Sequence, residues 1–379
     1  MKTLKNNVLA SAIIVICILI NNNLSNAQCV SWDWADNSSS SPNTTKNDYG
    51  KDVATDDSNN VFVVGEFQEP SITFGSTTLT NIFSSTDIYI VKYDENGNVL
   101  WAKSAVGNGE DYVTGAATDS LGNVYITGYF QSAAITFGAN VLTNTGGNDV
   151  FIVKYNGDNG NVLWAKSATG SGADYAMDIA TDNSNNVYIT GYFGDSGGND
   201  NITFGSVILT KPCYNWDMFL VKYDSDGNVL WAQCADEGYW GGAKGISLTT
   251  DNSSNLYVTG TYRWEPITFG STVLSYDIMN GEQMYIAKYN SSGTPIWAKK
   301  ACGENTGAGI GHAPDNIITD NSGNVYITGY YDSDAISFGS LTLNTTTGPA
   351  ADIFLVKYNS YKQGKKTEIT SAKYETKIV

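Results

Sequence analysis

The chain has 379 residues, with 38 acidic and 21 basic side chains and a formal net charge of −17. Cations this sparse cannot neutralise a phosphate backbone or an anionic lipid surface, which argues against nucleic acid and membrane lipid as partners. The aromatic share is 12 %, with nine tryptophans and 24 tyrosines, enough for a sizeable core with rings left over for a surface.

In chain order, residues 1–27 read as a secretion signal. Lys2 and Lys5 give the positive start, 8–20 is an apolar run, and Ser25-Asn26-Ala27 is a small-residue cleavage site. The run is shorter than the roughly 20 residues a bilayer span needs. The expected product is exported, extracellular or periplasmic, with no membrane insertion. Gln28 before Cys29 disfavours a lipid anchor. Four cysteines follow the leader in a compartment that permits disulfides. Spacing alone does not pair them; Cys213 and Cys234, expected near one face of the third repeat, are the preferred bridge.

From there to Tyr358 the chain repeats itself. Gly65, Gly128, Gly191, Gly260 and Gly329 sit in "VGEF", "TGYF", "TGYF", "TGTY" and "TGYY". Each is followed by "ITFG" or "ISFG", then by a segment such as "FIVKY", and the first four by "LWAKSA" or a close variant. The pieces alternate with the period of a strand, and "DSLGN"-type connectors have Gly or Asn where a hairpin needs positive φ. In the third unit the four strands are expected at 175–181, 186–193, 217–223 and 228–234. Four antiparallel strands per copy describe a propeller blade. The repeats run near 48–110, 111–173, 174–242, 243–311 and 312–358.

The fifth copy lacks its last strand, and "VSWDWAD" at 30–36 is that strand displaced to the other end of the chain. The expectation is an all-β, five-bladed β-propeller over 28–358, closed by its N-terminal strand, with Val30, Trp32 and Trp34 buried on one face and no open edge at the closure. Residues 359–379 are expected to be a flexible, lysine-rich tail.

The segments "DYAMDIATDNSNNVYITGYF" (174–193), "DVFIVKYN" (149–156) and "GNVLWAKSA" resemble the secreted bacterial beta-propeller repeat family known as SBBP. The resemblance covers about residues 30–358 and implies an extracellular propeller without a single shared activity. That family is named for seven blades, whereas this chain has five units. Similar proteins of Bacteroidetes-like bacteria often end in a sorting domain, and "YKQGKKTEITSAKYETKIV" is too short and polar for one. The alternatives are a truncated reading frame and a five-bladed protein released into the periplasm or medium, and the displaced strand, which completes the count, favours five blades.

Two constellations carry candidate chemistry. Counting back from the aspartates that end each first strand gives a ring of Asp48, Asp111, Asp174, Ala243 and His312. Carboxylates arranged so would hold a polar ligand or a cation such as Ca2+, or simply bond backbone N–H groups. Calcium wants six to eight oxygen ligands, more than the ring offers, so no cofactor is required. Trp216, Trp240 and Trp264 break the repeat, and with Arg263, the sole arginine, they are expected on the same face of adjacent units. Flat rings beside amides and carboxylates suit sugars. The recurring tryptophans (Trp101, Trp164, Trp231, Trp297) are expected in the core, and the recurring lysines (Lys92, Lys154, Lys222, Lys288, Lys357) as snorkelling side chains. The leading functional reading is a monomeric, non-enzymatic binding module for a glycan or another extracellular ligand. A structural or protein-interaction propeller is the alternative. A glycoside hydrolase using Asp48, Asp111 and Asp174 stands third, because near-identical repeats do not differentiate an acid from a base.

Overall fold

The computed structural model of the protein describes residues 33–40, 46–194, 200–210, 214–277, 281–304, 312–344 and 351–359. The leader, Val30, Trp32, Cys29, Cys213 and the segment 360–379 lie outside the described residues. Residues 1–37 and 38–379 are two compact units. In the first, residues 33–37 form no strand and Trp34 is exposed, so the expected burial of this tryptophan in a fourth strand is not formed.

The second unit is all-β, a row of repeated antiparallel meanders. The first copy has strands Asp48–Thr55, Val61–Phe67, Asp87–Tyr93 and Val99–Gly107. The second has Asp111–Thr118, Val124–Phe130, Asp149–Tyr155 and Val162–Gly170. The third has Tyr175–Thr181, Val187–Phe193, Asp217–Tyr223 and Val229–Cys234, within one residue of expectation. The fourth has Gly242–Thr250, Leu256–Arg263, Gln283–Tyr289 and Pro295–Lys300. The fifth has three, His312–Thr319, Asn324–Tyr331 and Asp352–Asn359, and no described strand pairs with the free side of the last.

The repeated glycine has a steric cause. A Cβ on Gly128 would lie 2.0 Å from the Tyr112 carbonyl oxygen and 2.8 Å from the Phe151 ring. The aromatic ring of the third strand therefore lies across bare backbone, and its other face packs against the phenylalanine of "ITFG": Phe137 to Phe151 is 5.1 Å between centroids. This contact recurs in every copy, from Phe74–Tyr89 to Phe338–Phe354.

The "ITFG" stretch is also a structural element that strand periodicity did not reveal. It opens a short hairpin, Ala134–Phe137 with Asn140–Thr143 in the second copy, inserted between the second and third strands. That hairpin pairs with the chain leaving the preceding copy. Val106 faces Thr136, Thr169 faces Thr203, Asp236 faces Thr268 and Cys302 faces Ser337. In each case the residue lies five positions beyond the repeat tryptophan. Ser39, five beyond Trp34, faces Thr73 in the same way.

The copies are fastened by a buried polar contact as well. Lys154 lies buried in its third strand, 3.1 Å from the Asp119 carboxylate and 4.8 Å from the centre of the Tyr125 ring. It donates to the Ser225 carbonyl oxygen of the next copy at 3.2 Å, and the Trp164 indole N–H donates to that same oxygen at 3.0 Å. Lys92 and Trp101 converge likewise on Gly157, and Lys222 and Trp231 on Ser291. These lysines do not snorkel: with the stem inside the sheet, the ammonium head finds a carboxylate and a carbonyl where water would otherwise be needed. The glycine closing the accepting turn lies against the indole. Gly227 has φ +80°, and a Cβ there would approach the Trp164 ring to 2.9 Å. Apolar clusters fill each junction, such as Ile88 and Ile90 of the first copy with Val113 and Ala116 of the second.

Removing one member of such a buried pair leaves the other uncompensated, at a cost of about 3–5 kcal/mol. Lys154→Met should lose about that much in urea unfolding, and Lys154→Met combined with Asp119→Asn should recover most of it. A double variant no more stable than the single one would contradict the pairing.

Candidate functional site

The start of each first strand, the end of each second and the start of each third come together at one end of a copy, because Asp111 and Asp149 both face Phe130 across the sheet. Asp111 and Asp174 are fully buried there. Asp111 accepts Ser132 N–H at 3.1 Å and Ser132 Oγ–H at 2.7 Å, and Asp174 accepts Gly194 N–H at 3.2 Å. The half-buried Asp48 accepts Gln68 N–H at 3.3 Å. His312 is buried too, its Nδ1 3.5 Å from Ser333 Oγ. Ala243, also buried, has no such group to offer. The aspartates staple the first strand to the loop leaving the second, and the buried ones are turned away from solvent. Among the described residues, no cluster of three or more His, Cys, Asp or Glu side chains is arranged to hold a metal ion.

Behind two of these residues stands a second carboxyl from the preceding copy. Asp111 N–H donates to Thr86 O at 3.0 Å, and Asp174 N–H to Asn148 O at 2.7 Å, which brings Asp87 and Asp149 into the same junctions. Burial, then the Asp111 charge, push the fully buried Asp87 carboxyl up to about 7. Burial pushes Asp111 up to about 6 against its bonds to Ser132. Burial also lifts Asp178, which reaches Leu248 N–H of the next copy at 2.8 Å, to about 6.

The residues next to the staples form the open part of the site. Tyr112 faces Tyr129 across its sheet, and Tyr175 faces Tyr192 across the next. All four rings are half-buried. Their centroids run from Tyr112 to Tyr129 at 5.1 Å, to Tyr175 at 4.8 Å, to Tyr192 at 4.9 Å and to Trp216 at 5.9 Å. The Tyr129–Tyr175 step crosses from the second copy to the third. Lys244 of the fourth copy lies 4.3 Å from the centre of a Trp216 ring. The Arg263 guanidinium lies 4.8 Å from Trp216 and 3.8 Å from Trp264. Glu282 is 3.5 Å from the Lys244 ammonium and 3.7 Å from Arg263. At the opposite end the pattern gives way to Tyr49 and Glu66, with Glu66 bonded to Lys51 at 3.0 Å.

Of the residues singled out from sequence, Trp216, Arg263 and Trp264 therefore meet directly. Trp240 belongs to an adjoining cluster, 5.6 Å from Tyr214 and 5.0 Å from Tyr239, with Trp240 O accepting from the Asn215 amide. Trp240 and Trp264 are exposed. Trp264 has φ +69°, a left-handed conformation uncommon for a bulky side chain and one that costs of order 1–3 kcal/mol. The tyrosine ladder was not singled out, although its signal, Tyr after Asp and Tyr after the repeat glycine in two successive copies, is present in the sequence. Cys234 carries a free thiol, pushed up to about 12 by burial and then by Asp217; the bridge to Cys213 involves a residue outside the described ones.

No family model matches the chain. It is 27 % identical over 393 residues to an uncharacterised WD repeat-containing protein of Acanthamoeba polyphaga mimivirus, covering 83 % of this chain and 27 % of that one. The chain thus spans about a quarter of the length of the curated relative it matches. Among solved structures, a protein of unknown function from Dyadobacter fermentans shares 8 % identity at a TM-score of 0.39, with 82 % of this chain and 83 % of that one covered. The quinohemoprotein alcohol dehydrogenase of Comamonas testosteroni shares 12 % at 0.38, covering 79 % and 44 %. BamB of Moraxella catarrhalis shares 11 % at 0.23, covering 77 % and 94 %. Scores this low leave the argument with the chain's own geometry.

The buried carboxyls set a pH dependence. A folded-state value raised above the unfolded 3.8 means the fold binds that proton more tightly, so Asp87, Asp111 and Asp178 withdraw stability as pH climbs from about 4 to about 7. Asp119, Asp182 and Asp251 are lowered despite burial, chiefly by bonds from Asn123, Asn186 and Asn255, and their contribution is lost as pH falls below about 4. Stability should peak near pH 4–5. Asp87→Asn should gain about 1–3 kcal/mol at pH 8 and little at the peak. An unchanged unfolding midpoint at pH 8 would contradict the assignment.

Proposed function

We propose that the chain is a secreted, SBBP-type propeller whose five copies close into a ring, and that it acts as a non-enzymatic binding module for an extracellular glycan. The observation that carries the functional reading is the continuous line of rings and cations from Tyr112 through Trp216 and Arg263 to Trp264. The half-buried rings leave apolar C–H surface for a pyranose, and Lys244, Arg263 and Glu282 supply hydrogen-bonding groups beside them. Asp111 and Asp174, sealed and already bonded, offer no carboxylate to a scissile bond, which favours binding over hydrolysis. The strained backbone at Trp264 supports a functional origin for that exposed ring. The exposed group of Tyr214, Tyr239 and Trp240 favours a second reading, a protein partner seated on the same face.

For closure, the support is the shared phase of Trp34 with the repeat tryptophans, five residues ahead of the one that meets the next hairpin. Segment 30–36 is then the fourth strand of the fifth copy. Deleting it should leave an opened, aggregation-prone protein; a deletion variant that melts cooperatively within a few degrees of the parent contradicts the closure.

Binding is tested by a glycan array followed by intrinsic-fluorescence titration with the glycans retained. Trp216→Ala should weaken affinity at least about tenfold, equivalent to about 1.4 kcal/mol. Trp264→Gly should weaken it too while leaving the melting temperature equal or higher, since glycine relieves the strained backbone. An array silent with intact protein overturns the glycan reading and leaves the protein partner.

A further inference from the structure

Around the inner strands runs a belt of threonine hydroxyls. Thr118 Oγ1 donates to Thr55 O of the preceding copy at 2.6 Å. Thr181 donates to Thr118 O, Thr250 to Thr181 O and Thr319 to Thr250 O, each at 2.7 Å. Four links join five copies. The remaining hydroxyl is that of Thr55, on an exposed residue at one end, and the remaining carbonyl is that of Thr319 at the other.

The apolar surface is unfinished at the same two places. Val53 is 58 % exposed, while its counterparts Ala116, Ile179, Leu248 and Ile317 are 9 % or less. Ile353 and Leu355 are 81 % and 61 % exposed, whereas their counterparts from Ile88 and Ile90 to Met284 and Ile286 are 8 % or less. In each junction present, those third-strand residues pack against the first strand of the next copy, as Met218 and Leu220 pack with Leu248. A polar link follows the same route. Asp52 accepts Ala116 N–H at 2.8 Å, Asp178 accepts Leu248 N–H at 2.8 Å and Ser247 accepts Ile317 N–H at 3.3 Å. Asn316, exposed, occupies that position in the fifth copy.

We infer that the exposed face of the fifth copy and the exposed first strand of the first copy are the two halves of one intramolecular seam, in which Thr55 Oγ–H meets Thr319 O, Asn316 joins Asp52 Oδ1, 2.8 Å away, as an acceptor for Val53 N–H, and Val53 covers Ile353 and Leu355. This rests on the ring closure proposed above. The occupant is the chain's own first copy because the threonine link and the apolar contact are already made four times at the same register, and the polar link three times, Gly115 interrupting it in the second copy. The two faces leave the belt one link short of a circle.

Thr55→Cys with Thr319→Cys in the full chain tests it, with Thr118→Cys and Thr181→Cys as the control at an existing link. After mild oxidation, peptide mapping should find residues 55 and 319 joined within a monomer at the control's yield. The same linkage joining two chains in a covalent dimer would place the seam between copies and overturn the inference. If only the control pair closes while the radius of gyration stays near the ~20 Å of a compact domain of this length, the ring stands and this seam is wrong. If only the control closes and the particle is distinctly larger, the ring fails as well.

Discussion

A lysine and a tryptophan of one copy donating to a single turn carbonyl of the next is the contact on which the rest of this structure depends. The lysine head is already inside the sheet, paired with an aspartate and lying over an aromatic ring. Its last hydrogen bond has to come from outside its own copy, and the neighbouring turn provides it. A single copy therefore cannot satisfy its own polar groups or cover its own apolar face. Hydrophobic burial supplies most of the favourable energy at each junction, but it is non-directional. The shared carbonyl, the glycine turned under the indole and the threonine belt set the register of one sheet on the next.

That register is what builds the candidate site. Tyr129 and Tyr175 belong to different copies, as do Trp216 and Arg263, and they touch because the junctions fix the copies at one offset. The site is accordingly a property of junctions. Its pieces are alike from copy to copy in the tyrosine pairs, and irregular where the repeat breaks, at Trp216, Trp240 and Trp264.

Much of the strand layout was legible in the sequence because alternation and turn chemistry act within a few residues. Gly65 and its four counterparts, the Asp-to-Asn turns and the strands of the third copy all follow from local sterics. The inserted hairpin was not legible, since its four-residue strands are short and Ala134–Phe137 draws on the preceding copy as well as on its own hairpin partner. Asp48, Asp111 and His312 open their first strands where the count from the strand ends puts them, but the direction in which they face was not legible. Period two says that Asp111 and Tyr112 point to opposite faces, and only packing tells that the carboxylate side is sealed and the phenol side open. Tryptophans that break the repeat stood out because the other copies have no counterpart, and of the three only Trp216 and Trp264 meet at Arg263. The ladder tyrosines were overlooked because repetition itself suggested a structural role.

The most direct measurement of the central contact is hydrogen exchange at the tryptophan indoles of the intact protein. Trp101, Trp164 and Trp231 donate across junctions, whereas Trp240 and Trp264 are exposed. The account predicts slow exchange for the first three and rapid exchange for the other two. Exchange of all five at the rate of a free indole would show that the copies are not held together in this way.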